Sequence, residues 1–226
     1  MNENGLPEVK PHIFSQGLPS LASYRNLLYP FKRISFNSKP KLLLIMPAIS
    51  SALRLAVRQL SDKEKEAVIL KAARRDAELF DMLTYELVEE VTLQDVYNQS
   101  AETITDLLHN ASGRNMSKAR NKALRKAVKE IARFKRITKD PKGEADLHLH
   151  ILRLIFEYYT SHFEGYYKSF FTATARLLLK TTQLIRKNLH EDYHLEYKPE
   201  VDHFLQQIHH RNQPLSFQLP YVFEVD

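Results

Sequence analysis

The 226-residue sequence contains no cysteine and only five glycines. Without cysteine there is no disulfide framework, no thiolate zinc cluster and no cysteine nucleophile. So few glycines argue against a fold made of many tight turns. The glycine-rich patterns G-x-G-x-x-G, G-x-x-x-x-G-K-[ST] and G-x-S-x-G are all absent. The sequence therefore disfavours nucleotide-dependent and serine-hydrolase chemistry in their motif-bearing forms.

Long apolar runs are also missing. The stretch 42–57 is apolar, but Pro47 and Arg54 interrupt it and it is too short to span a bilayer. The polar stretch 1–11 has no apolar core of the kind found in secretory signals. Hydrophobic residues make up 43% of the chain and charged residues 27%, the balance of a soluble globular protein. We expect a cytoplasmic protein that does not engage a membrane.

Proline divides the chain into three parts. Residues 1–46 contain five prolines, whereas residues 48–211 contain only Pro141 and Pro199. We predict an irregular extension over 1–46, an all-α domain over 47–211 and an extended tail over 212–226. The extension carries too many large apolar side chains for a solvated linker, so we expect it to pack on the body or on a second subunit.

Helix formers and helix-start patterns dominate the middle part. Ser61 followed by Glu64 predicts a capping box, and Asp76 predicts a break in the helical pattern. The expected helices cover 47–60, 61–91 with that break, 93–111, 117–139, 144–162, a segment ending at about 189, and a short segment after Pro199. In the helix over 93–111, Leu107 is expected to face inward. Proline at the first turn would begin the last helix.

This order of helices with short connections predicts an all-α fold. It is either a multi-helix bundle or a degenerate HEAT-like stack of helical hairpins. We find no convincing repeat of 33 to 47 residues. Aromatic residues concentrate between Phe156 and Phe171. We interpret this cluster as a packed helical elbow, with a ligand pocket as the alternative.

The segment 117–139, SKARNKALRKAVKEIARFKRITK, is the most distinctive stretch of the chain. On a helix, seven of its basic residues fall within an arc of about 100°. They are Lys118, Lys122, Arg125, Lys126, Lys129, Arg133 and Arg136. The opposite side is apolar, from Met116 to Phe134. Such a cationic stripe can follow a phosphate backbone or dock an acidic partner.

An acidic segment precedes this basic helix. Residues 76–113 contain nine acidic residues and no lysine or arginine. Lateral ion pairs between the two segments would explain part of the basic stripe without any partner. However, the stripe formed by Asp95, Gln99, Glu102 and Asp106 lies opposite the apolar face of its own helix. We therefore expect this compensation to be partial.

Residues 190–194 read H-E-x-x-H, a spacing typical of zinc hydrolases. In that interpretation, His190 and His194 would bind zinc and Glu191 would be the general base. The pattern lacks a third ligand, because Tyr197 and Glu200 stand where the extended motif has glycine and histidine. We therefore expect neither metal nor cofactor, and we expect His194→Ala to leave the stability nearly unchanged.

Together these patterns predict a non-enzymatic helical interaction or scaffold protein that acts through charged helix faces and binds a protein partner. The first alternative is a sequence-nonspecific nucleic-acid-binding protein that uses residues 117–139. The second is a zinc-dependent hydrolase that uses residues 190–194. The sequence leaves the oligomeric state open.

Overall fold

A computed structural model describes residues 49–163, 168–211 and 213–225. Within these ranges it contains eight α-helices, one short 3₁₀ helix and no strand, which confirms the all-α prediction. The α-helices are α1 (Ser51–Gln59), α2 (Asp62–Ala73), α3 (Ala77–Leu87), α4 (Leu93–His109), α5 (Met116–Thr138), α6 (Pro141–Tyr158), α7 (Lys168–Asn188) and α8 (Glu191–His210). The 3₁₀ helix is Thr160–Phe163.

The chain divides into two units, residues 1–54 and residues 55–226, and helices α2 to α8 belong to the second. The predicted extension over 1–46 lies outside the described residues, as do Tyr166 and Tyr167 of the aromatic cluster. Among the helices that the structure describes, none is long and apolar enough to cross a membrane.

Local capping begins several of these helices where the sequence predicts. Ser61 and Glu64 form the expected capping box of α2, and Thr92 forms a second one with Asp95 at α4. The Asp76 side chain caps α3 by accepting the backbone N–H groups of Glu78 and Leu79. These contacts satisfy amide groups that have no partner inside a helix.

Two predicted helix starts are wrong. The side chain of Asp140 accepts the backbone N–H groups of Lys142 and Gly143, so α6 begins at Pro141 rather than near Glu144. Helix α8 begins at Glu191 and continues through Pro199, which was expected to begin it. Proline removes one amide donor, and the carbonyl left without it belongs to Leu195, an exposed residue that water can reach.

Two smaller details also differ from the prediction. Helix α6 ends at Tyr158, and a 3₁₀ turn replaces its expected continuation to His162. In α4 the buried residues are Val96, Ser100, Ile104 and Leu108, whereas Leu107 is only partly buried. A helical face can include either of two adjacent leucines, and packing against the neighbouring helices decides between them.

Helix α5 lies at the centre of the second unit. It contacts α3, α4, α6 and α7, and α4 also contacts α6. The centre of its apolar face is buried, with Ala127, Ile131 and Phe134 each at most 1% exposed. In a solenoid each repeat contacts only its neighbours, so these contacts identify the architecture as a helical bundle.

The aromatic cluster and the tail both contribute to the core. Phe156, Phe163, Phe170 and Phe171 are buried, and Phe156 stacks on Phe204 with 4.7 Å between the ring centroids. The interpretation as core is therefore confirmed for these members. In the tail, residues 213–225 form neither helix nor strand, and two of them, Leu219 and Phe223, are buried in the core.

Candidate binding groove between α5 and α7

The seven basic residues of the predicted stripe divide into two groups. Lys118, Lys122, Arg125, Lys126 and Lys129, in the first part of α5, have exposed side chains. Arg133 and Arg136, in its last part, contact α3. The division reflects the position of α3, which lies beside only the C-terminal part of α5.

The C-terminal part of α5 is ion-paired with α3. Arg133 binds Asp81 of α3 and also Glu130 of its own helix, at 2.5 Å. Arg136 binds both carboxylate oxygens of Glu78, and its hydrogen bonds lower the pKa of that carboxyl group. Part of the acidic segment therefore neutralises part of the stripe, as the charge pattern suggests.

The rest of the acidic segment does not reach the stripe. Asp95, Gln99, Glu102 and Asp106 are exposed on α4, on the side away from the core. Asp106 lines a cavity together with Lys122 and Lys126, but no ion pair of 4.0 Å or less joins them. The first part of α5 therefore keeps its positive charge.

Helix α7 adds cations that the sequence analysis missed. It carries five basic residues and no acidic residue, while α5 carries nine basic residues and one acidic residue. The two helices run side by side in the same direction. Near the start of both helices, the Oγ atoms of Ser117 and Ser169 lie 2.8 Å apart, and Asn121 Nδ2 donates to Ser169 Oγ. The sequence does carry a signal for these cations, because the 21 residues of α7 include no aspartate or glutamate.

Between these helices lies an open groove of about 620 Å³, which we call the α5–α7 groove. Its floor is formed by Leu124 and Val128 of α5 and by Ala173 and Leu177 of α7. Its rims are cationic, with Arg125 and Lys129 on α5 and Arg176 and Lys180 on α7. An adjoining cavity of about 580 Å³ extends the groove toward the start of both helices and adds Lys118 to the α5 rim. The groove thus joins an apolar surface to positive charge on both sides.

The rim cations have no carboxylate partner in the described part of the chain. Lys118, Arg125, Lys129 and Lys180 form no ion pair there. Arg125 Nε donates only to the backbone carbonyl of Asn121, and the Arg176 guanidinium lies 5.5 Å from the centre of the Phe217 ring. Both contacts position a guanidinium without neutralising it. An anionic partner would meet an uncompensated positive potential at this groove.

The structure separates the residues of the H-E-x-x-H pattern. His190 precedes α8 and caps it, because its Nδ1 accepts the backbone N–H of Asp192. His194 is 3% exposed, and its Nε2 lies 3.0 Å from the carbonyl oxygen of Ile185 and 3.2 Å from that of Leu189. Two acceptors at these distances require Nε2 to carry the proton, so this atom is not free to bind a metal.

Glu191, the general base of that hypothesis, is exposed in the first turn of α8. Among the described residues, no group of three histidine, aspartate or glutamate side chains is placed to hold a metal ion. The geometry gives His190 a capping role and His194 a structural role at the junction of α7 and α8.

Comparisons with known protein families, with curated proteins and with solved structures found no match for this chain. Its function is therefore inferred from the chemistry of the α5–α7 groove. The two properties that matter are the unpaired cations of the rims and the apolar floor between them.

Proposed function

We propose that this chain is a non-enzymatic interaction protein that binds an acidic protein partner in the α5–α7 groove. The observation that carries the proposal is the set of unpaired rim cations on both sides of an apolar floor. Complementary charge steers a partner to such a surface and fixes its orientation. Exposed ion pairs contribute little to affinity, so burial of apolar side chains on the floor would supply most of the binding free energy.

The residues that line the groove also favour binding over catalysis. They include no histidine and no carboxylate that could act as an acid or a base. The hydroxyl group of Ser169 already contacts Ser117 and Asn121. Without a histidine or a carboxylate, the groove lacks the side chains that most often transfer protons or activate a nucleophile. The groove offers fixed positive charge and apolar surface instead.

Nucleic acid is the alternative partner, because the exposed part of the α5 stripe could follow a phosphate backbone. Two features of the groove favour a protein. Its floor is aliphatic, and its lining contains no aromatic side chain on which bases could stack. A phosphate backbone would use the rims and leave the floor uncovered.

The proposal is tested by charge reversal on both rims. The groove variant carries Lys129→Glu and Lys180→Glu, and the control variant carries Lys63→Glu and Lys71→Glu on α2, where both lysines are exposed. Each replacement changes the charge by two units, so both variants have a formal net charge of +2 instead of +6. Arg133 is not replaced, because its ion pairs with Asp81 and Glu130 belong to the fold.

Binding is measured by fluorescence anisotropy with labelled poly-glutamate and with a labelled DNA duplex, at low and at moderate salt. We expect the groove variant to bind poly-glutamate about tenfold more weakly than the wild type, since two attractive contacts become repulsive. The control variant should lose much less. Equal losses in the two variants would contradict the proposal. Binding of DNA that is tighter than that of poly-glutamate, and lost in the groove variant, would favour the nucleic-acid alternative.

A further inference from the structure

The dimensions of the α5–α7 groove indicate what shape of partner it accepts. The rim on α5 runs from Lys118 to Lys129, and the rise of 1.5 Å per residue gives a length of about 16 Å. This length corresponds to about three turns of an α-helix. Parallel helices such as α5 and α7 leave a furrow between them in which the side-chain ridges of a third helix can pack.

The apolar residues of the floor have the four-residue spacing of side chains that pack between helices. Leu124 and Val128 are four residues apart on α5, and Ala173 and Leu177 are four residues apart on α7. Leu124 and Leu177 are 4% and 5% exposed, so each is largely buried and presents only an edge to the groove. Ala173 has the smallest side chain of the four, and it leaves room for a partner side chain near the middle of the groove.

A helical partner suits this floor better than an extended one. The groove lies between two helices, whose backbone amides already bond within each helix, so it offers no free edge for strand addition. An extended peptide on an apolar floor would bury backbone N–H and C=O groups without partners, which is costly. A helix satisfies these groups internally and places its apolar side chains on one face.

We propose that the partner segment is an amphipathic α-helix of about three turns with an apolar face and acidic residues on both sides of it. Its apolar residues, spaced three and four apart, lie on the floor. Its aspartates and glutamates face Arg125 and Lys129 on one rim and Arg176 and Lys180 on the other. This inference rests on the proposed function, since it specifies the acidic partner that binds in the same groove.

The test compares two synthetic peptides of identical leucine and glutamate content. In the first, leucines recur at helical spacing, and in the second their order is scrambled. The floor variant is Ala173→Gln, which fills the groove without changing the charge. Its control is Ala67→Gln, the same replacement at an exposed position of α2. Far-ultraviolet circular dichroism verifies that each variant keeps its helices.

We expect the wild type and Ala67→Gln to bind the periodic peptide at least tenfold more tightly than the scrambled one. Ala173→Gln should lose this preference and still bind poly-glutamate as the wild type does. If Ala173→Gln loses helical content, Val128→Thr serves in its place, because it makes the floor polar at constant volume, and it should reduce the preference at least threefold.

The outcomes separate this inference from the proposed function. Equal binding of the two peptides by the wild type would overturn the helical partner and leave the acidic partner standing, provided that the groove variant still loses poly-glutamate binding. Unchanged poly-glutamate binding in the groove variant would overturn the proposed function itself. A preference for the periodic peptide that survives in the floor variant, whether Ala173→Gln or its substitute Val128→Thr, would place the binding site elsewhere on the protein.

Discussion

His148 on α6 should make the folded state sensitive to moderate acid. The residue has no exposed surface, and neither ring nitrogen has a hydrogen-bond partner among the described residues. Burial, together with a smaller effect of the positive charges of Lys180 and Lys135, lowers the pKa of His148 to about 3. In an unfolded chain the pKa of histidine is about 6.5. The folded protein therefore keeps this ring neutral at pH values where the unfolded chain protonates it.

The sign and size of the effect follow from this difference. Between about pH 6.5 and pH 3 the unfolded state binds one proton more than the folded state, so stability falls as the pH falls. The slope for one such group is about 1.4 kcal/mol per pH unit. From pH 7.5 to pH 5, His148 alone should thus reduce the free energy of unfolding by about 2 kcal/mol.

His148→Leu removes the titrating group and fills its site with an apolar side chain. The variant should be more stable than the wild type at pH 7.5, by about 1 to 3 kcal/mol, because a buried polar group without a partner is lost. Its advantage should grow by about 2 kcal/mol at pH 5. Urea unfolding followed by circular dichroism measures both values, and equal slopes against concentration of urea verify that the unfolded states are comparable.

His210 on α8 provides the control, because its side chain is exposed and the same replacement there leaves the buried ring in place. His210→Leu should lose as much stability as the wild type between pH 7.5 and pH 5. Burial also lowers the pKa values of His150 and His162, so the His148→Leu variant should retain some acid sensitivity from these groups. If His148→Leu and the wild type lose the same stability over this interval, the reasoning about His148 is refuted.

Two further predictions concern the packing of α6 and of α8. Gly143→Ala should lower the free energy of unfolding by about 1 to 3 kcal/mol, because the added Cβ would lie 2.7 Å from Phe134 Cζ. The control is Gly113→Ala, which should be tolerated because the nearest contact of its added Cβ is at 3.6 Å. Equal thermal midpoints for the two alanine variants would contradict this. His194→Ala should cost about 1 to 3 kcal/mol, contrary to the sequence-based expectation, because the ring bonds backbone carbonyls at the end of α7. Zinc should not restore that loss, and a restoration by zinc would revive the metal-site hypothesis.

The sequence by itself determined the fold class, several helix starts and the basic helix. Apolar residues at helical spacing and side chains that cap the following amide groups act over three or four residues, so they can be read without a structure. The capping box at Ser61, the break at Asp76 and the extent of α5 illustrate this. The concentration of cations on one face of α5 follows from the same periodicity.

Tertiary structure decided which of those cations are free. Arg133 is neutralised by Asp81, which is 52 residues away in the chain, and Lys129 is not neutralised by any of the described residues. The two rims of the groove, Arg125 and Lys180 among them, are likewise brought together only because α5 and α7 pack side by side. Pairings between distant helices depend on how whole faces fit together, and no local pattern encodes that fit.

The interpretation of the H-E-x-x-H pattern changed for the same reason. The spacing of His190 and His194 would place both rings on one helix face, but α8 begins between them, and its continuation through Pro199 buries Tyr197 and Val201 in the core. His190 caps the first turn of α8, whereas the packing of that helix against α7 places His194 on the carbonyl groups at the end of α7. The residue types were visible in the sequence, whereas their chemical roles depended on contacts that only the folded chain makes.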